Sequence, residues 1–254
     1  MIICPFNPLF FVRSSGRMPQ QRIFAQIFSA TDDIYIQVFR GPDEPSVIGT
    51  VIDAETSVTV QSIQWSVKSL TSEMVLQHHS ITGLSAGCYR LKLNDEVSEP
   101  FVITSDESEL KDTVLIQYSP VSNRVRSDVV PIIDNQRKFF SIRMPGGFKD
   151  NGYSFSVDNE QFVTQYSDIV ELYSRDSTQV RLTVGYSDGV PIWFGQMLNR
   201  LLTCKYVFID GVRFARFESS VPEKEQVLDN SDRFVFSQTL QEILYLQPKI
   251  EDVQ

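Results

Sequence analysis

The chain has 254 residues, with 23 basic and 32 acidic side chains and a formal charge of -9. At 42% hydrophobic and 22% charged it has a globular composition, which excludes a disordered or fibrous chain, and its acidity argues against the basic footprint of a nucleic-acid binder. Cys4, Cys88 and Cys204 form an odd set without close spacing and no Asn-x-Ser/Thr sequon occurs, so reduced thiols acting as packing residues are expected rather than a disulfide framework.

Met1 to Val12 is apolar, opens without a positive charge and is broken by Pro5, Asn7 and Pro8. That pattern fits neither a signal peptide nor a membrane-spanning helix. It is expected to be an extended arm that docks on this chain or on a neighbouring copy, and Phe10 and Phe11 within it are candidate subunit-interface residues. No membrane insertion is expected. Ile34, Ile36 and Val38 alternate as one face of a strand. Val58 and Val60 share a face, but Ile63, Trp65 and Val67 have the opposite parity, so a bulge or tight turn near Gln61-Ser62 is expected to gather them on one side. Tyr89, Leu91 and Leu93 alternate with Arg90 and Lys92 after a turn at Gly83 to Gly87. Turn signals recur about every ten residues, as in a sandwich of short antiparallel strands.

The polar stretch Ser105 to Asp112 is read as a boundary between a domain at 1–106 and a domain at 107–254. There are 7 basic against 11 acidic residues before Glu107 and 16 against 21 from there on, so both halves are acidic. In the second half Val114 to Ile116 and Phe139 to Ile142 read as strands, Gly146-Gly147 as a break, and Val180, Leu182 and Val184 as one strand face. A helix is predicted over 191–203, with Phe194, Met197, Leu198, Leu201 and Leu202 on one stripe, Pro191 in the first turn and Asp188 as its cap. Asp210-Gly211 between Tyr206–Ile209 and Val212–Phe214 predicts a type I′ hairpin. Phe234, Phe236 and Leu240 mark a last strand, and the tail from Gln247 is expected to fray. The expected fold class is mainly β, with two β-sandwich-like domains, the second carrying one α-helix and a β-hairpin.

No pattern commits the chain to catalysis. Gly185-Tyr-Ser187-Asp-Gly189 matches a nucleophile elbow, but no histidine follows Ser187, and such a segment is an ordinary helix-entry turn. His78 and His79 point to opposite sides of a strand, with Cys88 the only nearby soft donor, which is too few ligands for zinc. Arg124, Arg126, Arg137, Lys138 and Arg143 make a locally basic region, read as a solvated face or a seam against an acidic neighbouring subunit. Phe148, beside the glycine pair, is a third candidate interface residue. No catalytic residue, metal or cofactor is expected.

Several stretches resemble virion proteins of tailed phages and prophages of gut anaerobes, crAss-like phages included. They are Ser98 to Phe101, Thr113 to Ser119, Phe140 to Phe148, and Asp158 to Val227 with its EQFVTQYSDIVELYS, MLNRLLTC and YVFIDGVRFAR segments. The resemblance covers about residues 85–245 and carries no catalytic motif. In size and two-domain layout the chain is similar to distal tail proteins. The resemblance implies a non-enzymatic structural protein of the tail or connector, located in the virion. It would form a homo-oligomeric ring and dock other virion tail proteins, without direct nucleic-acid contact. The alternative is a β-sandwich recognition module that binds glycan or a host surface protein through an aromatic platform at Trp65 or Trp193.

Overall fold

A computed structural model describes residues 1–11, 23–148, 152–229 and 231–243, so Val12 of the arm and the tail from Gln247 lie outside the described residues. The chain is mainly β. The first half contains β1 (Ile2–Ile3), β2 (Gln26–Ser29), β3 (Ile34–Arg40), β4 (Gly49–Asp53), β5 (Thr59–Ser62), β6 (Ser66–Ser69), β7 (Val75–Ile81), β8 (Gly87–Leu93), β9 (Glu96–Val97) and β10 (Phe101–Thr104). A one-turn helix, α1 (Glu107–Leu110), is capped by the Asp106 side chain on the Ser108 amide. The second half contains β11 (Thr113–Ser119), β12 (Ile132–Ile133), β13 (Gln136–Arg137), β14 (Phe140–Phe148), β15 (Ser154–Val163), β16 (Ile169–Val184), α2 (Ile192–Leu201), β17 (Tyr206–Ile209), β18 (Val212–Arg216), β19 (Glu223–Gln226) and β20 (Phe234–Glu242).

In the first lobe, a sheet in the order β1-β3-β7-β6 packs against one in the order β2-β10-β8-β4-β5. Ile34, Ile36 and Val38 from β3 meet Val51, Leu91, Leu93 and Phe101 in one sandwich core. The parity change after Val60 is a change of sheet rather than a bulge. β5 ends one sheet and β6 ends the other, and the chain crosses between them at Ile63 to Trp65. Ile63 is buried and the Trp65 indole donates to the Val47 carbonyl at 2.6 Å, while Val58, Val60 and Val67 stay exposed on the outer strands.

The second lobe closes on itself. Strands β11, β14, β16, β20, β18 and β17 each pair with the next, and β17 pairs back to β11. Its core takes Ile116, Ile142, Met144, Leu182 and Leu240 from the strands and Phe194, Met197, Leu198 and Leu201 from α2. The apolar stripe of the helix is thus buried, but Asp188 does not cap it. The Ser187 hydroxyl contacts the Asp188 carboxylate, Val190 bridges to Phe234, and extended Pro191 occupies the capping position without a side-chain bond. The bridge holds the backbone strand-like up to the helix, which separates Asp188 from the first turn.

Gly146-Gly147 is not a break but part of β14. Gly146 has φ 144, and a Cβ there would lie 2.1 Å from the Thr183 carbonyl oxygen, so only glycine lets β14 approach β16 so closely. At the β17–β18 turn Asp210 and Gly211 have φ 47 and 82, the positive pair of a type I′ turn. The Asp210 carboxylate also accepts from the Leu115 amide at 2.9 Å, tying the turn to β11.

The lobes share β3, whose odd residues face the second lobe. Tyr35 and Phe39 join the core that holds Tyr118 and Phe140. Gln37 is fully buried: its amide donates to the Val130 carbonyl at 2.7 Å and to the Tyr35 hydroxyl at 3.1 Å, and accepts from the Val130 amide at 3.0 Å. Replacing one side of such a buried pairing strands the other side without a partner, at about 1–3 kcal/mol per group. Gln37→Leu is therefore expected to lower the unfolding free energy by about 2–4 kcal/mol in urea titrations. A loss below 0.5 kcal/mol, the size of an ordinary surface change, would show that this pairing is dispensable.

Candidate docking surfaces

The most conspicuous surface is a hairpin that leaves the second lobe. β16 runs for 16 residues, but only its last part, Gln179–Val184, pairs with β20. Ile169 to Thr178 pair with β15 alone, and among the described residues no strand covers either outer edge of this ribbon. Ten residues of extended chain make it about 33 Å long. A Ser156–Ser177 hydroxyl contact at 2.6 Å lies near its base, and Thr164 and Asp168 close its tip.

The ribbon carries side chains typical of a core. Phe155 is 83% exposed, Tyr166 80%, Ile169 68% and Val163 67%. The register shifts between Glu160 and Gln161, with Leu172 as the additional residue of β16. Beyond the shift Phe162 pairs with Val170 on the face that carries Tyr173, whereas Phe155 and Val157 lie on the opposite face. Both faces are therefore apolar in part, and the ribbon lacks the one-sided pattern that would fold it back on its own lobe. Contiguous exposed apolar side chains of this kind mark interaction sites. An uncovered strand edge is a ready template for pairing.

The three candidate interface residues lie apart from the ribbon and from one another in packing. The Phe10 ring lies 4.0 Å from Trp193 and 5.3 Å from Phe194 in the second-lobe core. Phe11 packs against the first-lobe core, and Phe148 sits 5.1 Å from Phe214. All three are half-buried. The arm docks on its own chain: β1 pairs with β3, Tyr118 donates to the Phe6 carbonyl at 2.6 Å, and Arg200 to the Pro5 carbonyl at 2.7 Å.

A second surface is a cleft of about 480 Å³ between the lobes, where β3 and β7 meet β11, β13 and β14. It is lined by His78, His79, Arg137, Lys138, Phe139 and Asp33, among others. The Arg137 guanidinium donates to the Pro120 and Val121 carbonyls and lies 4.3 Å from the centre of the Tyr206 ring. Arg213 and Lys205 approach the same ring at 5.1 and 5.8 Å. Nε of Arg137, Nε of Arg213 and Nε2 of His79 are shielded from solvent and have no hydrogen-bond partner among the described residues. Burial, then the nearby Lys138 charge, pushes the His78 imidazole below its ordinary range. Burial raises the Asp33 carboxyl, opposed by the Ser80 hydroxyl that donates to it at 3.2 Å.

The basic region read from the sequence is thus divided. Arg143 forms a bidentate pair with buried Asp32 of the first lobe, at 2.8 and 2.9 Å. Arg124 is exposed, Arg126 pairs with Asp128 and lies over the Phe6 ring, and Arg137 and Lys138 line the cleft. Ser187 is exposed in the turn before α2. Among the described residues no group of three or more His, Cys, Asp or Glu side chains is placed to hold a metal ion. Neither tryptophan forms an exposed platform, since Trp193 stacks on Phe194 at 4.7 Å and Trp65 packs on the first-lobe core. Comparison with protein-family models, curated proteins and solved structures finds no match.

Two outcomes test this placement. Phe155→Ser and Tyr166→Ser are expected to change stability by no more than about 0.5 kcal/mol in thermal unfolding, because exposed side chains contribute little to the fold. A large loss in either would place that side chain in an intramolecular core. Burial pushes the Cys4 and Cys204 thiols up to about 12. Both are therefore expected to resist alkylation at pH 8 in the native protein and to react in denaturant, read by intact mass.

Proposed function

We propose that the chain is a non-enzymatic structural subunit of a phage tail or connector, which assembles into a closed ring of identical copies and docks neighbouring tail proteins. The observation that carries this reading is the projecting ribbon β15–β16, with apolar side chains on both faces and, among the described residues, no strand on either outer edge. A two-stranded ribbon of this length is marginal in water on its own, and a neighbouring copy that covers it removes both its wet apolar groups and its unpaired edges. Where the covering site on the neighbour is a different surface, the contact is head-to-tail and closes into a ring when the rotation between copies permits.

The charge of -9 sets a condition on such a ring. Like-charged subunits repel, so apolar burial or basic patches must offset the repulsion. The virion assignment comes from the sequence resemblance to tailed-phage proteins, and a structural role for a strand-rich chain is consistent with it.

Analytical ultracentrifugation of the intact chain tests the reading. The expected result is a discrete species of several times 29.0 kDa that dissociates when Phe155→Asp and Phe162→Asp are combined. A stable monomer, both alone and with the tail proteins of its phage, would overturn it.

A further inference from the structure

We infer that the cleft between the lobes receives the acidic ribbon of the next copy, so that each subunit carries the two different halves of a single head-to-tail contact. The inference rests on the ring reading and names the receiving surface that this reading leaves open.

Charge makes the first argument. Between Ser154 and Gln179 the sequence has five carboxylates, Asp158, Glu160, Asp168, Glu171 and Asp176, against one arginine. The facing cleft presents Arg137 and Lys138, flanked by Lys205 and Arg213 around Tyr206. Its opposing charge is Asp33; nearby Asp134 is already paired with Lys68. In a chain with an excess of acidic residues, a concentration of cations beside an open cleft is the natural seat for the most acidic projecting element.

Edge chemistry makes the second. The ribbon offers carboxylates and, along two strand edges that no other described strand covers, backbone acceptors for the cations of the cleft. Phe139 in the cleft, Tyr206 beside Arg137, and the exposed Tyr166 and Phe162 of the ribbon supply aromatic contact area suited to an interface. With about 33 Å of reach, the ribbon is long enough to leave its own lobe and cross to a neighbour.

A reciprocal charge exchange tests the pairing. The cleft variant combines Lys138→Glu with Lys205→Glu, two side chains whose charged ends take no part in holding the fold's backbone. The ribbon variant combines Glu160→Lys with Glu171→Lys. Each alone is expected to weaken self-association at least tenfold in sedimentation velocity at about 0.1 M salt, where charges within about 10 Å still interact. Mixing the exchanges in one chain is expected to recover most of the loss. In the native background, a benzophenone photo-crosslinker placed at Tyr166 is expected to label cleft peptides of another copy. Undiminished association in both variants, failed recovery in the combined chain, or adducts confined to other surfaces would each overturn the cleft as receptor while leaving the ring itself standing. A native chain that stays monomeric at every concentration would instead overturn the ring reading from which this inference starts.

Discussion

The molecule is organised around a strand that has no face toward solvent. β3 places Ile34, Ile36 and Val38 in the first-lobe sandwich and Tyr35 and Phe39 in the core of the second lobe. Gln37 between them would be costly to bury, except that its amide meets both the N–H and the C=O of Val130, as a neighbouring strand would. Its own backbone is met from the other side by Asn7 and Cys4 of the arm. Satisfied buried polar groups of this kind fix orientation, because sliding either lobe leaves them unpaired. The bidentate contact of Asp32 with Arg143 adds a second fixed point between the lobes.

That arrangement explains why the arm is not free to reach a neighbour. Phe6 packs against the stacked Tyr118–Phe140 pair, with its ring centre 6.4 Å from each, and Phe10 continues into the Trp193–Phe194 stack. Burying a ring of that size contributes about 1.5–3 kcal/mol, which an exchange between copies would have to match. The ribbon is the reverse case. It has a similar aromatic content, but among the described residues no strand covers its outer edges, and Phe155 and Tyr166 are exposed.

Legibility in the sequence followed locality. Tyr89-Leu91-Leu93, the helical stripe of α2 and the Asp210-Gly211 turn were readable because neighbours in sequence decide them. Gln37 was not, since its partner Val130 is 93 residues away and a glutamine between apolar residues looks like the wet side of a strand. The glycine pair at 146–147 reads as punctuation, whereas its reason is a carbonyl on another strand. Nor does alternation tell a covered strand from a bare one: Phe155 and Val157 have the pattern of Val180 and Leu182, yet one pair is exposed and the other buried. The acidic residues interleaved through 158–176 were the available hint that this segment stays in water on its own subunit. The basic region was visible as composition, but its division among a buried pair, a local pair and the cleft depends on tertiary geometry.

The grip on the arm also sets an order of events during synthesis. Met1 to Phe11 leave the ribosome shortly before β3, which pairs with β1, but the Tyr118 hydroxyl and the Arg200 guanidinium that also hold them follow more than a hundred residues later. Until then the odd face of β3 is wet and Gln37 has no Val130 to meet. The first lobe must therefore wait half-finished, with Tyr35 and Phe39 uncovered, while the second is translated. At about 5–20 residues per second that wait lasts many seconds, a window in which exposed apolar surface favours aggregation over folding.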